Sequence, residues 1–270
     1  MITAEDTLLH DDSDEKTSPW PAIGLAAFAI LVGIFVVKYG LGTLAWLEAK
    51  SLASSNTWVA DVPQPIAQAP ESVTAPGGKI DLIKLYNFEF NSPWPGKYKT
   101  EEHLTHTIVR FDSGHVLVFY DPDTQKDTIG TLKTSDPANY QKFAAVFSGA
   151  PIESNYSLYQ QVYNASPSQL SPLMNGADAQ REHTLLLWKL AFGADLIPDG
   201  AFHSFDWGTV KGFQFGDPTG GRPVALRAFD DRNRQFRYLF IVSGGSSAQI
   251  TQDQIDAAVR SLKPVPFLDR

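Results

Sequence analysis

The 270-residue chain contains no cysteine, which excludes a disulfide framework, a thiolate metal site and a cysteine nucleophile. That absence does not fix the compartment, because a domain of this size folds outside the cytoplasm without disulfides. An excess of positive charge is missing too, with 22 Lys and Arg against 30 Asp and Glu. Most of the imbalance lies in residues 1–19, where Lys16 stands against Glu5, Asp6, Asp11, Asp12, Asp14 and Glu15. The remainder is nearly neutral, which argues against nucleic acid as a partner. Internal repeats are absent, and so are long apolar runs, with one exception.

That exception is WPAIGLAAFAILVGIFVVKYG, beginning at Trp20. Pro21 to Val37 carry no charge, and a helix of about 17 residues rising ~1.5 Å each nearly covers a hydrocarbon core of roughly 30 Å. Lys38 can snorkel to the headgroups, Tyr39 continues the apolar character, and Trp20 and Trp46 sit where interfacial aromatics belong. The reading is an acidic disordered tail over 1–19 and a bilayer-spanning helix with interfacial ends over 20–47. Ser51-Leu52-Ala53 offers the small residues of a signal-peptidase site, but the leading segment is acidic and the site lies far beyond the apolar run. A retained anchor is therefore favoured. Lys16 before the span and Lys38 and Lys50 after it vote weakly for an outside N-terminus. A long domain after a first span is commonly translocated regardless, so the favoured placement is N-in, C-out. The C-terminal domain would then lie on the periplasmic or extracytoplasmic side of a bacterial-type inner membrane. Ala22/Ala26 and Ala29/Gly33 have small-xxx-small spacing, which permits but does not specify an oligomer through this helix.

Residues 48–79, with TWVADVPQPIAQAPESVTAPGG, have the Pro/Ala-rich composition of a stiff linker. A globular region over 80–264 follows, then a short tail over 265–270. LYNFEFNSP alternates with period two at Tyr86, Phe88 and Phe90, and HLTHTIVRFDSGHVLVFYDPD reads as a hairpin turning at Asp112-Ser113-Gly114. Helices are expected after Asp136-Pro137, over Ser154–Tyr163, near Leu170 and Leu173, and over Asp178–Phe192. In the last of these, Leu186 and Leu190 form the inward stripe, with Leu187 and Ala191 beside it. WGTVKGFQFG, RPVALRAF and QFRYLFIV then read as an antiparallel meander. The final helix carries a capping box at Thr251 and Gln254, with Ile255, Ala258, Val259 and Leu262 inward. The fold class is α+β, an antiparallel sheet flanked by helices plus one N-terminal transmembrane helix.

YNFEFNSPWPGKY, the closing strands RPVALRAFDDRNRQFRYLFIVSG and the ending ITQDQIDAAVRSLKP together resemble the Mog1/PsbP/DcrB type of α-β-α sandwich over about residues 80–264. The resemblance implies an assembly factor, an extrinsic subunit or a small envelope protein, and brings no catalytic residues.

Chemistry in the sequence is sparse. His103 and His106 beside Glu102 and His115 are the nearest approach to a metal pair, but residues three apart in a strand face opposite sides, so the two converge only if the segment is helical or looped. His183 and His203 have no motif around them. FSGAP and SGGSS lack the nucleophile-elbow pattern, and GDPTGG has no following helix to cradle a phosphate. Asp230 and Asp231 read as turn residues. Arg222, Arg227, Arg232, Arg234 and Arg237 cluster on the last two strands and their connections, a candidate face for an anion or a partner protein, or charged strand edges. Trp94, Trp188 and Trp207 read as core. The expectation is a non-catalytic binding, assembly or accessory module for a membrane-proximal partner, with no cofactor and no metal. The alternative is a membrane-tethered enzyme, or a receptor for a small ligand or anionic lipid with an aromatic and Arg-lined pocket.

Overall fold

The computed structural model describes residues 20–66, 82–85, 88–92, 94, 96–121, 128–147, 152–193, 201–218, 222–232, 234–242 and 249–264, with backbone only at 20–27, 128, 131, 132, 139, 142, 143, 145, 146, 193 and 264. The acidic tail, the later part of the expected linker, Tyr86 and the C-terminal tail lie outside these. The first helix, α1 (Trp20–Ser55), has 36 residues and is about 54 Å long at 1.5 Å per residue. It is long and apolar enough to cross a bilayer. From Phe28 to Lys38 every side chain is exposed.

An eight-stranded sheet forms the centre: β1 (Gln64–Pro65), β4 (Tyr98–Glu102), β5 (His106–Phe111), β6 (His115–Tyr120), β7 (Phe202–Asp206), β8 (Val210–Phe215), β9 (Val224–Asp230) and β10 (Gln235–Val242). Its order is β1-β7-β8-β9-β10-β6-β5-β4, antiparallel except where β1 runs parallel to β7. The expected hairpin and the expected meander are both present, the hairpin turning through Gly114 at φ +88°, where a side chain would be strained. The aromatic first strand goes elsewhere. β2 (Leu82–Leu85) and β3 (Phe88–Asn91) join β11 (Lys263–Pro264) in a separate three-stranded sheet.

The central strands are buried on both faces, β9 from Val224 through Phe229 without interruption. One face, through Phe119, Leu226 and Phe236, packs on the small sheet and on α6 (Gln252–Arg260). Thr251 and Gln254 form the capping box there, and Ile255, Ala258, Val259 and Leu262 are buried as their spacing requires. The other face, through Phe213 and Phe229, is covered by helices. These are α2 (Thr128–Ser135), α3 (Pro137–Val146), α4 (Asn155–Asn164) and α5 (Gly176–Gly193). The molecule is α+β, as its patterning requires.

Two expectations change in the helical layer. On α5, Leu185 and Leu186 are buried with Lys189, while Leu187 and Ala191 are exposed. The turn at Ser171–Asn175 buries Leu170 but leaves Leu173 outside.

The larger change concerns the expected linker. α1 does not end at 47; it runs beside α5 to Ser55, and a 3-10 turn at Thr57–Ala60 buries Val59. β1 then adds an edge strand, where Pro65 is tolerated. The reason is a small-residue stripe, Gly42, Ala45 and Ala49, which is buried on the domain while Leu41, Leu44 and Leu47 face outward. Thr43 Oγ1 donates to the Pro172 carbonyl at 3.0 Å, and Glu48 meets His183 at 2.9 Å. A Cβ on Gly42 would collide with the Met174 carbonyl oxygen. Gly42→Val should therefore cost about 1–3 kcal/mol by overpacking and lift the helix off α5. Limited trypsin digestion of the full chain in detergent reads this as faster cleavage after Lys50. Unchanged protection would mean the contact is loose.

Candidate functional site

Strand alternation splits the arginine cluster. Arg227 on β9 pairs in register with Arg237 on β10, Arg237 with Tyr120 on β6, and Tyr120 with His106 on β5. Directly opposed residues share a face, so Arg227, Arg237, Tyr120 and His106 form one row, beginning under the helical layer. Arg232 and Arg234 belong to the β9–β10 turn and open toward the other face. Arg222 is exposed ahead of β9.

Arg227 is the unusual member, only 4% exposed. Its Nη1 donates to the Tyr163 hydroxyl at 2.9 Å, and its guanidinium lies 4.2 Å from the centre of the Tyr159 ring. Its buried Nε has no hydrogen-bond partner, and no carboxylate pairs with it among the described residues. A buried cation without a counter-charge is costly even when an aromatic face attracts it. Half-buried Arg237, 5.1 Å from the Tyr120 ring centre, adds a second positive charge beside it. An arginine with a free Nε edge recognises carboxylate or phosphate through two parallel N–H bonds. Burial pushes the Tyr163 hydroxyl far above the usual phenol range, so it remains a neutral partner of Arg227.

Lys189 is a second buried cation, fully enclosed. Its Nζ donates to the Asp61 carbonyl and, at 2.8 Å, to the Ala165 carbonyl. It thereby ties α5 to the segment leaving α1. Burial lowers its pKa to about 8, and the neutral amine retains two hydrogens, one for each carbonyl. The long apolar helix pattern gave no sign that this residue points inward.

The β9–β10 turn borders a cleft of about 250 Å³ lined by Asp230, Asp231, Arg232, Arg234, Arg260 and Lys263, among others. Arg234 is already committed, with its Nη2 2.6 Å from Asp230 and its guanidinium 4.7 Å from the Phe88 ring centre. Asp230 also accepts from the backbone amides of Arg232 and Arg234. This confirms the turn role expected of Asp230 and makes Arg234 a clamp on it.

The histidines resolve differently. His103 lies outside the strand, so the chain turns between it and His106 and their rings stack at 4.6 Å. The looped arrangement, one of those in which the two could converge, is the one present, because only His106 is in extended register. No group of three or more metal-ligating side chains gathers among the described residues. His115 is buried between Ser113 and the Gln249 carbonyl, stacked on Trp94, and burial lowers its pKa. His183 belongs to the α1–α5 contact, and His203 sits opposite Gln64 on β7.

Of the expected membrane-interface residues, Lys38 is exposed and Tyr39 half-buried against Phe35. Trp46 is half-buried on the helical-layer core, with Lys50 Nζ 3.9 Å from its ring centre. The Trp20 side chain lies outside the described atoms. Gly42, Ala45 and Ala49 escaped the sequence reading, although their spacing continues the small-residue pattern noted earlier in the helix. No protein-family model, curated protein or solved structure matches the chain.

Two outcomes follow from the buried cations. Arg227→Met should leave the urea midpoint unchanged or raise it, since apolar replacement of buried charge is neutral or stabilising by about 1–4 kcal/mol. A loss of about 3 kcal/mol would instead mark Arg227 as structural. For Lys189 the unfolded pKa is 10.5 and the folded value about 8, so the unfolded state binds more protons between those values and stability rises with pH there. The penalty, about 3 kcal/mol, is complete below pH ~8. Urea melts at pH 7.5 and 9.5 should show this rise in the native chain and not in Lys189→Met.

Proposed function

We propose that this is a single-pass membrane-anchored envelope protein whose α+β domain is a non-catalytic binding, assembly or accessory module for a membrane-proximal partner. The domain lies on the periplasmic or extracytoplasmic side of a bacterial-type inner membrane. The observation that carries this reading is the docking of α1. Its apolar first part is bare, and its last turns are built into the helical layer. A domain mounted this way is held close to the bilayer at a fixed angle to its own membrane helix, which suits recognition of a neighbour in the same membrane. The resemblance to the Mog1/PsbP/DcrB type supports the same class of role. Ala29 and Gly33 remain exposed on the bare part, which leaves that face open to a second helix.

The second reading, a receptor for a small anionic ligand or an anionic lipid, is favoured by Arg227 and Arg237, which offer positive charge and aromatic faces with no carboxylate paired to either among the described residues. Both readings use the same row of residues, and they differ in what supplies the anion.

Native-membrane extraction of the full-length protein in mild detergent, followed by identification of co-purifying chains, separates them. A stoichiometric membrane protein that is lost with Arg237→Gln supports the partner reading. A chain that purifies alone and carries a small anion in native mass spectrometry transfers the assignment to the receptor.

A further inference from the structure

The bare and docked parts of α1 meet at a sharp boundary. Trp20 to Tyr39 is about 20 residues, or ~30 Å of helix, equal to the hydrocarbon thickness of a bilayer. Exposed Lys38 lies at the end of that stretch. Contact with the domain begins within one turn: Leu41 packs beside Gly176, Gly42 against Met174, and Thr43 bonds the Pro172 carbonyl. The turn Ser171–Asn175 is thus level with the point where α1 would leave the hydrocarbon.

This turn presents lipid-compatible chemistry. Leu173 is 61% exposed, and Leu41 and Leu44 are equally bare on the adjoining helix. Ser166 through Ala177 carry no charge. Isolated exposed leucines need no explanation, but Leu41 packs on Gly176 and Leu173 immediately precedes Met174, which meets Gly42, so the turn borders the apolar surface of α1.

We propose that the turn Ser171–Asn175 is a second membrane contact, with Leu173 seated in the lipid interface beside α1. The proposal rests on the anchor reading of α1. A helix docked on its domain still lets the two tilt and rotate together in the bilayer, whereas a second contact beside the helix fixes both tilt and rotation. The turn would work as a foot, bearing on the acyl–headgroup boundary where apolar side chains are stabilised by burial.

The absence of cysteine makes the test direct. Leu173→Cys, Phe35→Cys and Leu104→Cys, each in the full chain, are spin-labelled and placed one protein per disc in phosphatidylcholine/phosphatidylglycerol nanodiscs. Leu104, on the β4–β5 connection, is 94% exposed and serves as the aqueous reference. Collision rates with oxygen and with a water-soluble nickel chelate report depth. The expected result is hydrocarbon depth at 35, and at 173 a nickel rate several-fold below that at 104 with a raised oxygen rate. If position 35 is deep and 173 is as accessible to nickel as 104, the foot is overturned and the anchor stands. If position 35 is itself aqueous, the anchor reading fails and takes the foot with it.

Discussion

A sheet that is apolar on both faces has to be covered on both, and in this protein that requirement places every other element. β9 is buried from Val224 to Phe229 and β6 from His115 to Phe119, so neither strand has a face to offer water. The small sheet and α6 close one side. The other side needs more area than α2 to α5 supply, and the end of α1 joins them through Ala45 and Ala49 in the core cluster that contains Phe213 and Phe229. The same demand makes a helix that reads as an anchor also a core element of the domain.

Sharing α1 between two environments has a mechanical consequence. Small residues let the helix approach α5 and the Ser171–Asn175 turn closely, and Lys189 ties the segment after it to the body of the domain. No long spacer intervenes between the apolar helix and the first core contact. A domain attached in this way moves with its helix, and its faces keep a fixed direction relative to the helix axis.

Two buried cations set the energetic character of the helical layer. Lys189 is balanced by carbonyls and can shed its proton, so its cost is limited and its bonds survive. Arg227 has neither escape: it stays charged at any ordinary pH, and among the described residues Tyr163 and Tyr159 are what meet its guanidinium. Arg227 is therefore the costlier of the two buried cations.

Much of the architecture was legible because local signals and burial agree. The Asp112-Ser113-Gly114 turn, the Thr251 and Gln254 box, and the closing strands with their short connections each state their structure within about ten residues. The apolar helix was equally plain, since a charge-free run as long as Pro21–Val37 has few other uses. What the sequence could not determine depends on register and on distant partners. Ala45 falls in the stretch that reads as span and Ala49 in the stretch that reads as linker, and only packing in the helical layer makes both of them core. The five arginines look alike as a string, yet pairing between β9 and β10 sends Arg227 and Arg237 under the helices and leaves Arg232 and Arg234 at the turn. His103 and His106 likewise meet because of a turn that their spacing alone does not reveal. The sequence determined the elements and the apolar anchor, because those follow from periodicity and composition. The tertiary structure decided which side chains share a face, because that depends on contacts between residues far apart in the chain.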